Sequence, residues 1–238
     1  MKLLDVAALD TRIDQLRHQL ATLPETVEIV ALTTDRGELD DQARDARILV
    51  DDLSGEQAKA DSDVEQVKTR RERDRARIDG GQITNPKDLE RMQHELVSLE
   101  RRIASLEDTE LEVMEKLEEA QKALDALTFQ LRATDERLIS LTKARDEKAA
   151  DLDGTLRSVM TERGETVTGL PEDLLALYER IRAQSGVGAA PLRARQCGGC
   201  QMAINASELS VIAKAPSDEV IRCEECSRIL VRTSESGL

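Results

Sequence analysis

The chain contains no tryptophan, one phenylalanine (Phe129) and one tyrosine (Tyr178) in 238 residues. Aromatic and β-branched side chains fill most ordinary globular cores, so their scarcity argues against a large compact domain. Positive charge is also in short supply: 34 Lys and Arg face 48 Asp and Glu, for a net charge of −14. Both nucleic acid and anionic membranes attract positive fields, so this balance disfavours a general binder of either. No apolar run approaches the roughly 18 residues of a membrane span. Asp5 interrupts the stretch MKLLDVAALD where a signal peptide needs its apolar run, and a cytoplasmic location is expected. His18 and His94 stand alone, without neighbouring ligand-type residues, which points to surface or seam-edge roles. Phosphate-binding glycine loops, nucleophile elbows and HExxH motifs are missing too. The many Asp and Glu have no concave apolar surroundings to perturb them, so no catalytic set is found and a non-enzymatic protein is expected.

What the chain does have is Leu, Ala, Glu and Arg in long helical rhythm. From Leu89 apolar residues recur at alternating steps of three and four: Leu89, Met92, Leu96, Leu99, Ile103, Leu106, Val113, Leu117, Ala120, Leu124, Leu127, Leu131, Leu138 and Leu141. Only Glu110 and Thr134 interrupt the series. A 3.5-residue repeat held for about seven heptads is a coiled-coil seam. Leu39, Ala43, Ala46, Val50, Leu53, Ala60, Val64 and Val67 keep the same rhythm, as do Leu9, Ile13, Leu16, Leu20 and Leu23, but these two stretches are out of phase. The slip is expected between Pro24 and Gly37, either as a first helix that turns back or as a kink or break in one long arm. Matched arm lengths favour the second: residues 3–79 and 86–163 would meet at Gly80-Gly81-Gln82-Ile83-Thr84, each about 115 Å long. Asn85 is the expected N-cap of the return helix and Pro86 its first residue. A connection this short implies an antiparallel hairpin.

After Gly164 the rhythm stops, and Leu170-Pro171 opens a short amphipathic helix whose Tyr178 is expected to pack at the hairpin base. The linker GVGAAP and then short β-compatible pieces follow, among them VIA around Val211, EVIRC before Cys223 and RILVR after Cys226. The predicted fold is therefore mainly α: a coiled-coil hairpin over 1–164 with its tip at about 80–85, a short helix and linker over 165–190, and a separate small β zinc ribbon over 191–238.

All four cysteines lie in that last segment, as Cys197-Gly-Gly-Cys200, 22 intervening residues, and Cys223-Glu-Glu-Cys226. In a reducing compartment close cysteine pairs more often bind metal or do redox work than form structural disulfides. A two-residue spacing lets both thiolates of a pair face one ion, and two such turns complete the tetrahedral sulfur site that zinc prefers. One structural Zn²⁺ on Cys197, Cys200, Cys223 and Cys226 is the expectation, with redox-active thiols or an iron–sulfur centre as alternatives. Four thiolates fill the shell and leave no position for a reactive water. The segment from Pro191 to Leu238 has as many basic as acidic side chains and no aromatic one, which suits a protein partner better than phosphate or bases.

A second candidate site lies before the tip, where Lys68, Arg70, Arg71, Arg73, Arg75 and Arg77 oppose only Glu72 and Asp74. Two readings stand: a solvated face paired with Glu90 and Glu95 across the seam, or a docking tip for an acidic protein or RNA that also includes Lys87.

The sequence resembles a bacterial family of coiled-coil hairpin proteins with a C-terminal C4-type zinc ribbon. The resemblance is carried by Asn85-Pro86-Lys87 with Leu89, by Leu177-Tyr178-Glu179-Arg180-Ile181-Arg182, by Cys197-Gly198-Gly199-Cys200 and by Arg222-Cys223 through Cys226-Ser227-Arg228-Ile229-Leu230. It implies zinc on the four cysteines and a non-enzymatic role. Some members act in flagellar biogenesis and bind a nitrogen-type alternative sigma factor or RNA, so a sigma factor or the transcription machinery is the implied partner. Ser227 departs from the family, where Gly is frequent, and Val231 stands where an aromatic residue is frequent. The function expected is a zinc-binding adaptor or regulator that docks proteins through the ribbon and the tip. The alternative is a regulator that binds RNA or DNA through the basic tip and the ribbon.

Overall fold

The computed structural model describes residues 2–238. Its elements are α1 (Lys2–Ala21), α2 (Pro24–Asp79), α3 (Pro86–Val167), α4 (Glu172–Ser185), β1 (Ala189–Arg193), β2 (Gln196–Cys197), α5 (Ala206–Lys214), β3 (Ile221–Arg222) and β4 (Ile229–Val231). Long helices form a hairpin, and a small strand region follows. Among the described residues no helix is long and apolar enough to cross a membrane. The chain divides into two compact units: Glu28–Leu141, and a second that joins the residues up to Val27 with Thr142–Leu238.

The first unit is an antiparallel pair made by α2 and α3. All sixteen seam positions from Leu89 to Leu141 are buried or half-buried, Glu110 and Thr134 included. Ion pairs bridge the two helices along the seam: Arg137 Nη2 to Glu28 at 2.8 Å, Arg36 Nε to Asp135 at 2.6 Å, Lys68 Nζ to Glu107 at 2.6 Å and Arg70 Nη2 to Glu95 at 2.6 Å. These pairs are about half exposed, so water and salt screen them and they serve mainly to fix register. At the tip, Gly81 takes φ of +65° and the Gly80 and Gln82 N–H groups return to the Ala76 and Arg77 carbonyls, closing α2 with a left-handed glycine. Asn85 then caps α3, its Oδ1 accepting from the Lys87 N–H at 3.0 Å.

The arm does break, but at Thr22-Leu23 and not between Pro24 and Gly37. Thr22 and Leu23 leave the helix, and Pro24 restarts it as the first residue of α2, where its missing N–H costs nothing. The seam resumes at once through Glu25, Ile29, Leu32 and Arg36. Polar side chains at Glu25 and Arg36 hid this phase from an apolar count. In the second unit α1 and the start of α2 both run antiparallel to the end of α3, with Asp10 of α1 against Arg163 and Glu25 of α2 against Lys148, so the first helix does not turn back.

The strands of the second unit form one sheet in the order β2-β1-β4-β3, with β1 and β4 parallel and the outer pairs antiparallel. Residues alternate across its two faces. Ala189 and Ile229 join Leu3, Val6, Ala7, Tyr178 and Ile181 in one core, whereas Ala190, Leu192 and Leu230 join Cys197, Cys223, Ile204 and Ile212 in another. The ribbon's strands β1 and β4 therefore contribute to both cores. The sheet begins at Ala189, inside the expected linker, because α1 and α4 cover the face that the cysteine core leaves bare. VIA at Val211 is helical, within α5: Asn205 accepts from the Glu208 N–H at 2.8 Å, and this cap overrides the strand preference of Val and Ile.

Candidate metal centre and the base that carries it

Each cysteine pair sits in a tight turn, and the two turns are built alike. The Cys197 N–H donates to Met202 O and the Gln201 N–H to Cys197 O; the Cys223 N–H donates to Arg228 O and the Ser227 N–H to Cys223 O. Gln201 and Ser227, the residues after each second cysteine, both take φ of +61°, the left-handed conformation that glycine adopts freely. Gly198 serves a different need. A Cβ there would lie 2.8 Å from Pro191 O, so the first turn can press against β1 only without a side chain.

The turns bring four sulfurs within 4.8 Å of one another. Cys197 Sγ lies 3.7 Å from Cys226 Sγ, and Cys200 Sγ 3.8 Å from Cys223 Sγ. A disulfide needs about 2.05 Å, so these are free thiols. A tetrahedron with metal–sulfur bonds of about 2.3 Å has sulfur–sulfur edges of about 3.8 Å, which the observed spacings match. The residues fit one structural Zn²⁺, held by all four predicted ligands. Without the ion the thiols are poorly matched: burial pushes Cys223 up to about 12 and raises Cys197, whereas for Cys226 burial is outweighed by the Arg228 N–H and side chain and by neighbouring thiols, bringing it down to about 7. A divalent cation supplies what these crowded thiolates lack, since each must lose its proton to bind.

Arg228 ties this centre to the helices. Its Nε donates to Val187 O at 3.1 Å and its Nη2 to Ser185 O at 3.0 Å, satisfying carbonyls at the end of α4. Its aliphatic stem crosses Gly199, where a Cβ would lie 2.7 Å from Cδ. Arg232, at the other end of β4, does the same for α5, donating to Ile212 O at 3.1 Å, Ala215 O at 2.7 Å and Pro216 O.

A second polar centre lies at the base, around Asp10. Asp10 is 2% exposed and accepts from Arg163 Nε at 2.6 Å and from the Tyr178 hydroxyl at 2.7 Å, with Arg182 Nε at 3.4 Å. Arg163 also reaches Glu179, and Arg182 reaches Asp14 at 3.0 Å. Burial, the Asp10 hydrogen bond and the Asp10 charge hold Tyr178 well above the ordinary phenol range. The ring packs where α4 meets α1, as its place in the sequence suggested. A polar residue on the stripe Leu3, Val6, Asp10, Ile13 was the signal that could have revealed it.

Of the basic tip residues Arg70, Arg73 and Arg77 line one open groove, in which Asp74, Asp88 and Glu95 also stand. Arg70 is held by Glu95, Arg75 Nε lies 3.8 Å from Asp79, and Arg73 Nε lies 3.8 Å from the buried carboxylate of Asp74. Arg71 is half-buried on the seam, while Arg77 and Lys87 are exposed. Among the described residues Glu90 forms no ion pair.

Comparison with known proteins agrees with this architecture. The CT398-like coiled coil hairpin domain matches residues 6–186, and the C4-type zinc ribbon domain matches 196–230. An uncharacterised protein of Mycobacterium tuberculosis is 36% identical over 230 residues, covering 97% of this chain and 94% of its own. A solved structure from Mycobacterium smegmatis superposes with a TM-score of 0.80 at 34% identity, over 98% of this chain and 96% of that one. CT398 from Chlamydia trachomatis shares the fold at 16% identity, with a TM-score of 0.66 over 98% and 96% of the two chains. With its hairpin matched over most of its length and its four cysteines in place, the chain belongs to the CT398-like coiled-coil hairpin family with a C4-type zinc ribbon.

Proposed function

We propose that the chain is a non-enzymatic adaptor or regulator that docks protein partners through its zinc ribbon and its hairpin tip. The observation that carries this reading is the four-sulfur site, which uses every cysteine and offers no open coordination position to a substrate. The surface beside it is suited to a protein: Met202, Val211 and Val220 are exposed around the ribbon, and Glu208 lies close enough to Glu224 and Glu225 to be raised first by burial and then by their charges. Cytoplasmic location and a transcription-related partner, such as the sigma factor that the family resemblance implies, belong to this proposal.

Crosslinking in cells followed by identification of what is captured tests it. Specific proteins, lost when Val211 or Glu225 is replaced, are expected. Nucleic acid as the main product, lost in Arg73→Glu with Arg77→Glu, would instead establish the nucleic-acid reading. That reading also requires affinity to fall steeply with salt, because phosphate binding releases counterions. The carboxylates already facing Arg70, Arg73 and Arg75 favour the protein reading.

A further inference from the structure

We propose that zinc occupancy controls the packing of the helical base, so that losing the ion frees α1 and α4 from the sheet as well as unfolding the ribbon. The two cores share strands rather than merely touching. β1 sends Ala189 into the helical core and Ala190 and Leu192 into the cysteine core, and β4 divides Ile229 and Leu230 in the same way. Neither strand can lose its order on one face and keep it on the other.

Two further contacts tighten the link. The carbonyl of Arg228 accepts from Cys223, the first ligand of the second metal turn, while its side chain holds the last turn of α4. Gly188, just before β1, lies so close to Tyr178 that a Cβ would sit 2.6 Å from the ring, and its carbonyl accepts from the Ile229 N–H at 3.0 Å. Ala189 itself packs in the core that holds Leu3, Val6 and Ala7. The ribbon strands are short, between two and five residues, and could not hold this sheet alone. The metal supplies the order that the base then uses.

The chain carries its own reporter, because Tyr178 is the only tyrosine and there is no tryptophan. With zinc bound, second-derivative ultraviolet spectra of the full chain should show a fully buried tyrosine. Removing the ion with a chelator under reducing conditions should expose it. Amide exchange should lose protection by on the order of tenfold or more across residues 2–21 and 172–185, while residues 28–141 keep theirs, and zinc should restore both signals. Arg228→Ala keeps all four ligands, so it should bind zinc yet show weaker protection in α4. A metal-free chain with Tyr178 still buried and α1 and α4 still protected would overturn the proposal. So would loss of protection in residues 28–141 to the same degree, since the response would then not be confined to the base.

Discussion

Asp10 is buried with its carboxyl oxygens matched by two guanidinium groups and a phenol. Removing it would leave the Tyr178 hydroxyl without its buried acceptor and Arg163 without its main one. Asp10→Ala should therefore cost about 3–5 kcal/mol, read by chemical denaturation of residues 2–27 with 142–238, and Asp10→Asn should cost less. The metal turns permit a change of opposite sign. Ser227 and Gln201 adopt a left-handed backbone without glycine, so Ser227→Gly should stabilise the zinc-bound ribbon by about 0.5–1 kcal/mol, measured as slower zinc loss to a competing chelator. The cysteines were legible in the sequence because ligand spacing is itself the chemistry of the site. Asp10 was not, because a lone Asp in a helix looks solvated until the partners, more than 150 positions away, are brought to it by the fold.

At the level of elements, the seam of α3 could be read residue by residue, since the buried positions of a coiled coil are fixed by period alone. The start of α2 could not, because Glu25 and Arg36 occupy seam positions and gain their place from Lys148 and Asp135. Gly37, expected to mark a weak point, lies on the exposed side of an unbroken helix, where an added Cβ would meet nothing within 4 Å. Gly37→Ala should thus raise stability by about 0.5–1 kcal/mol, seen as a higher midpoint for the helical signal of residues 28–141. The helix at α5 was misread as strand because Val211 and Ile212 favour extended structure locally. The pattern Asn205 followed by Glu208 was the better guide, since it marks a helix start whatever follows.

For the molecule as a whole, pH offers a way to stress one unit and not the other. The folded value of Tyr178 lies above its unfolded value of about 10, so the neutral phenol stabilises the base fully below that pH and the contribution is lost as the pH climbs through the folded value. Asp10 from α1, Arg163 from α3 and Arg182 from α4 are the charged groups that face it. Alkaline titration should accordingly unfold the unit that contains Tyr178 first, with tyrosinate absorbance rising in step with exchange at α1 and α4. Tyr178→Phe should remove that step.

The helical base also has a history in time. α1 is among the first elements made, yet its core is complete only with Ile229, roughly 220 residues later, which at about 5–20 residues per second is on the order of 10–45 s of synthesis. Until then Leu3, Val6 and Ala7 have only Tyr178 and Ile181 of α4 and Ala189 of β1 to complete their core, although residues 28–141 have long been made. Completion of the protein is thus a single late event, in which the arrival of the last strand and of a metal ion finishes a structure begun at the opposite end of the chain.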